Sequence, residues 1–360
     1  MSPTSARMQS FVRLFLLCLS LLHSAPSTAE TVCRPSSLDG YTPPKPIKRA
    51  PPIYPRNEAQ DSNGGIVELE FMVDENGDGF EPIVTYSSHP GFENSAKAAV
   101  KKNKYQAAKL NGLPVSARSS LRIMYEMREK KDAVSLKFSR LYRKASAELN
   151  SENPNPEKTQ ELINRLQKSY ALSPYANARL NFLRLQHAML FGSTEDKILA
   201  AQAVLSFEKG VAKEHRAIDA RQKANFEKSL FGWHANTQRY NKALRQYHSL
   251  MSDNQLTQKE INGLTSIANK ICVIRDNNEI VVKTDIKISK RGFALEELFK
   301  QTFSLGNIEG ELSGIKLRCQ NKFKKLAFAS GSEYRIPKSW GACDIQIIGE
   351  SDTKAALYQY

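Results

Sequence analysis

The chain reads as a multidomain α+β protein in three parts: a small α/β module, an α-solenoid-like helical region, and a small α+β C-terminal domain. Two changes of period predict this. Apolar residues alternate with polar ones between Pro51 and Met127, fall at helical spacing from Asp132 to Ile271, and alternate again from Cys272 to Tyr360. Length agrees: 360 residues and 40.4 kDa leave room for two or three such units.

Residues 1–29 read as a signal peptide. Arg7 and Arg13 precede the apolar run Leu14–Leu22, and Ser27-Thr28-Ala29 offers a small-residue cleavage site. The run suits an h-region and falls short of the ~20 apolar residues that span a bilayer. A short uncleaved anchor is the rival reading. Removing this segment takes two arginines and no acid from the balance of +15, leaving +13. Fourteen Lys or Arg against three acids lie between Lys97 and Lys144. Such a surface favours anionic partners, or is simply a set of solvated faces. Export argues against nucleic acid.

Residues 30–50 read as a Pro-rich linker. The stretch Thr42–Pro52 would span roughly 30 Å as polyproline II.

Residues 51–128 carry an ordered set of signals. Pro51-Pro52-Ile53-Tyr54-Pro55 opens them, and after Gly64-Gly65 comes the alternating run Ile66–Asp74. A turn (Glu75–Gly79) leads to a second run, Ile83–Ser88. Gly91-Phe92-Glu93 then opens a helix through Ala96, Ala99 and Val100. Lys104-Tyr105, the Asn111-Gly112 turn and an alternating strand Leu121–Met127 close the module. This order resembles the C-terminal domain family of TonB, the periplasmic protein that couples inner-membrane energy to outer-membrane transporters. The resemblance implies a sandwich of two to three antiparallel strands plus a helix, with an exposed edge strand that accepts an extended peptide. It implies peptide-binding roles for Leu121, Arg122, Ile123 and Tyr125 on the edge, with Arg122 outward, Tyr125 free to stack and the Ile123 N–H offered to the added strand. Ile53, Tyr54 and Pro55 would lie beside them. Plain packing against the helix is the other reading of Tyr54 and Tyr105. The chain departs from the family in having Ile53 where a Gln precedes the Tyr-Pro pair, Tyr105-Gln106-Ala107 where Tyr-x-Pro follows the helix, and a much shorter tether.

Residues 132–271 follow helical spacing. Val134, Phe138, Leu141, Tyr142, Ala145 and Leu149 share one face, and Asn155-Pro156-Glu157 starts a second helix bearing Leu162, Ile163, Leu166 and Tyr170. Ser173-Pro174 and Thr194-Glu195-Asp196 start the third and fourth. Two more carry Ile218 with Leu230, and Tyr240, Ala243, Leu244 and Tyr247. Thr257-x-x-Glu260 is a capping box for the seventh, with Leu264, Ile267 and Ile271. Helix pairs recur at about 42 residues, and Gln238–Tyr247 resembles the second helix of a tetratricopeptide repeat, so the region is tetratricopeptide-like.

In residues 272–360, Val282, Thr284, Ile286 and Ile288 alternate after an Asn277-Asn278 turn. Leu295, Leu298, Phe299 and Phe303 predict a short helix, and Ile315–Cys319, Leu326–Ala329 and Cys343–Ile347 predict strands. Four cysteines follow the signal: Cys33, Cys272, Cys319 and Cys343. None forms a C-x-x-C pair and no His stands at metal spacing from them, so disulfides are expected and no metal. Cys319 continues the face of Ile315 and Leu317, and Cys343 that of Ile345 and Ile347. Their sulfurs should meet in one core, leaving Cys33 and Cys272 by elimination.

Asp74-x-Asn76-x-Asp78-Gly79 imitates half a calcium loop, but Thr85 stands where a bidentate Glu is needed, and a hairpin turn wants the same residues. There is no H-E-x-x-H, no G-x-S-x-G and no phosphate loop, while Ser313-x-x-Lys316 lies in an alternating strand rather than opening a helix. The chain is therefore expected to be no enzyme and to need no cofactor. The expected partners are envelope proteins: outer-membrane transporter peptide segments, or an inner-membrane energy-coupling complex. No nucleic acid or small-molecule substrate is expected. The periplasm is the expected location. Two alternatives stay open: a membrane-anchored energy transducer, and a cell-wall-binding protein acting through residues 272–360.

Overall fold

Strict alternation in one central strand organises the first module. The computed structural model describes residues 32–33, 38–61, 63–126, 136–169, 174–208, 218–252 and 255–360. The expected signal peptide, Met127, Val134, Tyr170 and Ser173 lie outside them. Short strands β1 (Tyr41–Thr42) and β2 (Lys45–Lys48) precede a five-residue helix α1 (Arg56–Gln60). Strands β3 (Gly65–Val73) and β4 (Gly79–Ser87) form a hairpin, and helix α2 (Glu93–Lys102) follows. Short strands β5 (Lys104–Gln106), β6 (Ala108–Leu110) and β7 (Leu113–Val115) lead into β8 (Ala117–Tyr125). The main sheet is antiparallel in the order β4-β3-β8. Val67, Leu69, Phe71 and Val73 share one face of β3 and bury against Phe92, Ala96, Ala99 and Val100. The hairpin turn consumes its own acid: the Asp74 carboxylate accepts from the Asn76 and Asp78 amides at 2.9 and 2.8 Å. Gly77 turns there at φ +82°, where a Cβ would strike the Tyr105 carbonyl.

The stretch expected as a linker is extended but is laid on the module as strands. β1 pairs with β6, and β2 with β5. Polyproline II and β backbone share one region of φ/ψ space, so the composition did not distinguish a free tether from a paired strand.

Seven helices follow among the described residues: α3 (Leu136–Leu149), α4 (Pro156–Ser169), α5 (Pro174–Phe191), α6 (Thr194–Glu208), α7 (Ala220–Asn236), α8 (Tyr240–Met251) and α9 (Gln258–Asp276). Each packs on the next. Phe138, Ala145, Leu162, Leu166 and Leu183 fill the first core, and Ile198, Ala201, Ile218 and Leu230 the second. The predicted Thr257–Glu260 capping box is formed, and Asp219 with Gln222 makes another at the start of α7. Alternate helices start at Leu136, Pro174, Ala220 and Gln258, an uneven spacing where a constant period was expected.

The C-terminal region is corrected from α+β to a two-sheet β-sandwich. Its strands are β9 (Val282–Lys287), β10 (Phe293–Glu297), β11 (Thr302–Glu309), β12 (Leu312–Cys319), β13 (Phe323–Leu326), β14 (Glu333–Arg335), β15 (Cys343–Gly349) and β16 (Lys354–Gln359). They form sheets in the orders β10-β15-β12-β13 and β14-β11-β16-β9. Ile286, Phe303, Leu305 and Leu357 of one sheet meet Ile315, Leu317, Ile345 and Ile347 of the other in a shared core. The expected helix at Leu295–Phe303 is instead strand β10, a loop and the start of β11. Leu295, Leu298 and Phe299 imitate helical spacing, but Phe293–Glu297 pairs residue by residue with β15.

Both expected disulfides are present. Cys319 and Cys343 face each other across β12 and β15, and Cys33 is bonded to Cys272 on α9 with Cα atoms 5.8 Å apart. Val32 is buried beside α8 and α9, and Leu38 lies by Gly341. Val32, Leu38 and strands β1 and β2 thus touch the helices, the sandwich and the first module in turn.

Candidate functional site

The candidate edge is β8, which ends its sheet with β3 on one side and no strand on the other among the described residues. Its ladder to β3 runs unbroken over nine pairs, Gly65↔Tyr125 to Val73↔Ala117. The opposite edge, β4, is irregular. It carries Pro82, two register shifts and Glu81 at φ +49°. Proline, bulges and broken register are what disqualify an edge from pairing. β8 has none of them.

The direction of its backbone groups follows from one hydrogen bond. The Ile66 carbonyl accepts from the Ser88 amide at 3.0 Å, on the β4 side. Antiparallel alternation then sends Val67, Leu69 and Phe71 toward β8, where they exchange bonds with Ile123, Leu121 and Ser119. The amides of Arg118, Ser120, Arg122 and Met124 therefore face outward. The expectation that Ile123 offers its N–H to an added strand is corrected: that amide is spent on β3. Only the parity of the ladder reveals this, and the sequence lacks the register.

The expected contact side chains divide between two faces. Leu121, Ile123 and Tyr125 face α2 with the β3 core, and Ile123 and Tyr125 are buried. Tyr125 is not free to stack on a ligand. Its ring stacks on Phe92 with centroids 4.3 Å apart, Tyr54 packs edge-on at 5.7 Å, and its hydroxyl donates to Ser95 Oγ at 3.1 Å. Burial pushes that hydroxyl's pKa up, against the Ser95 bond. Ile53 is exposed while its carbonyl accepts from Ser95 Oγ; Tyr54 donates to the Asn63 carbonyl, and Pro55 precedes α1. Of the segment 53–55, Tyr54 packs at the end of β8, and hydrogen bonds at Ile53 and Tyr54 hold the rest.

Arg122 turns away from α2, but not into solvent. Its guanidinium donates to the Ser206 carbonyl at the end of α6 and lies 3.7 Å from Glu68. Burial lowers its basicity, with Glu68 and Tyr86 opposing. This second sheet face is covered on either side of the exposed Ser120. Ile66, Tyr86 and Met124 pack on Ala178 of α5 and Phe207 of α6. Phe80 meets Phe323 of β13 edge-on at 5.4 Å, Arg118 pairs with Asp344, and Glu81 binds Lys316 and Lys325 at 2.6 and 3.2 Å. Burial raises the Glu70 pKa, Asp344 adds to it, and Arg118, Arg245 and Arg318 work against it. The helices and the sandwich leave the module its β8 edge. Among the described residues, no group of three His, Cys, Asp or Glu is placed to hold a metal ion, and no helix is long and apolar enough to cross a membrane.

The chain is similar to one family model and to solved structures. A solution structure of the Pseudomonas aeruginosa TonB C-terminal domain matches at 17% identity with a TM-score of 0.22, over 29% of this chain and 96% of that one. A structure of the TonB2 protein from Vibrio anguillarum matches at 23% identity with a TM-score of 0.19, over 30% of this chain and 98% of that one. No curated protein matches the chain. The family model described as Gram-negative bacterial TonB protein C-terminal matches residues 50–127, so the module from Ala50 to the end of β8 is similar to that domain.

Proposed function

We propose that the protein is a non-enzymatic envelope interaction protein whose β8 edge binds an extended segment of a periplasmic partner by strand addition. One observation carries this reading: β8 is a regular nine-residue edge with four outward amides, while the short strands β5 and β6 are already paired by β2 and β1. Main-chain bonds to Arg118, Ser120, Arg122 and Met124 would supply affinity. Selectivity would come from the exposed Ile53 and the half-buried Tyr54 and Leu121 on one side. Arg122, held by Ser206, frames the other. The match to the TonB C-terminal family supports an envelope location and protein partners, with transporter peptide segments as the first candidates. The helices are the proposed second binding platform, read as tetratricopeptide-like from their sequential packing.

The test is photo-cross-linking in the periplasm from position 120, whose side chain is exposed. Adducts from position 120 and none from Leu113, also exposed on β7, are expected. Equal labelling from both positions would remove the assignment of the edge.

A further inference from the structure

We infer that the ribbon formed by β2 and β5, with the end of α2, is a docking surface for an anionic phospholipid membrane. Antiparallel pairing sets Lys48 directly opposite Lys104 and Lys45 opposite Gln106. Tyr105 between them points into the core, so Lys104 and Gln106 share the solvent face and bring their partners onto it. The buried Asn103 accepts the Ala50 amide at 2.8 Å, which anchors the end of the N-terminal strap, the segment that carries β1 and β2, between Lys102 and Lys104. Arg49 is thereby brought to the same corner as Lys101 and Lys102, all exposed. Six cations meet there. Among the described residues one carboxylate, Asp78, reaches any of them, at Lys104.

Like charges placed opposite each other across a ladder destabilise it. An anionic surface laid on the ribbon would turn that repulsion into attraction. At the bulge between Pro46 and Lys48 stands Ile47, 73% exposed among the lysines. An aliphatic side chain ringed by ammonium groups suits a bilayer interface, where the chain enters the acyl boundary and the cations meet head groups. Lysines are flexible point charges rather than fixed forks. They suit mobile head groups better than a partner read by fixed hydrogen bonds, which favours lipid over an acidic protein.

Vesicle co-sedimentation of the full chain tests this, using phosphatidylglycerol vesicles against phosphatidylcholine vesicles. Wild type and variants keep the same apolar N-terminal run, so their difference reports the ribbon. Each lysine removed should weaken binding about fivefold, so the Lys45→Gln/Lys48→Gln/Lys101→Gln variant should lose on the order of a hundredfold. Ile47→Ser should weaken binding at unchanged charge, and high salt should weaken wild-type binding. The triple variant should melt at the wild-type temperature or above it, because its change relieves repulsion. Equal sedimentation of wild type and triple variant would overturn the inference. So would capture of poly-glutamate by these lysines without binding to phosphatidylglycerol.

Discussion

Glu70 on β3 stands directly opposite Ser120 on β8; the Oε2 of the first is shut off from solvent, while the second is exposed. Across one rung the sheet passes from the sealed junction of three domains to an open edge. Ser120→Pro removes an outward amide and leaves the bonds to β3 intact. Partner capture should fall about tenfold or more, with the melting temperature nearly unchanged. Ile123→Pro is the contrasting variant. It breaks an inner rung and a buried contact, and should cost on the order of 2–3 kcal/mol of stability in denaturant melts.

Glu260 ties the start of α9 to α7. Desolvation raises its pKa, but bonds from Lys228, Thr257 and Arg221 outweigh it and hold the carboxyl at about 2. Its stabilisation is therefore present above the unfolded value of 4.5 and is lost as pH falls toward about 2. Discounted for solvent screening, Glu260→Gln should cost about 1–2 kcal/mol at neutral pH. In urea melts the gap to wild type should close as the pH is lowered below 4.5.

His234 also weakens the fold in acid, through burial rather than pairing, and at higher pH. Burial first, then Lys242, Arg239 and Arg245, lower its pKa from 6.5 to about 3. Below pH 6.5 the unfolded chain takes a proton that the folded chain refuses, so stability falls as pH drops toward about 3. Replacing His234 by Leu should flatten this slope by about 1.4 kcal/mol per pH unit between pH 6 and 4. Calorimetry across that range would show it, and an unchanged slope would refute it.

Reducing the disulfides should loosen two different regions. Loss of the Cys319–Cys343 bond should destabilise the sandwich by about 3 kcal/mol in the chain-entropy model. Loss of the Cys33–Cys272 bond should speed hydrogen exchange at Tyr41–Lys48 more than in β3. Peptide mapping without reduction should recover these two pairs and no others.

Local period carried much of the architecture: the β3 alternation, the α2 face, the Thr257 cap and the inward Cys319 and Cys343 were all legible in the residues themselves. What escaped was fixed by distant partners. Glu296 is buried in β10 because Arg239 and Lys242 of the helical region meet it at 3.2 and 2.9 Å. Nothing within five residues of it signals that. Arg122 looked outward on a strand read alone, and the end of α6 covers it. Tyr125 packs against Tyr54, and its stacking face is taken by Phe92.

The two disulfides join the described cysteines in consecutive pairs, first to second and third to fourth. For a chain entering an oxidising compartment N-terminus first, an oxidase that joins each thiol to the next one to emerge makes only native bonds. Cys33 must then wait as a lone thiol through the translocation of 239 residues before Cys272 arrives. The first module would be fully translocated during that wait. Its edge would be open to partners before the strap is locked, and maturation would depend on the speed of export rather than on a disulfide isomerase.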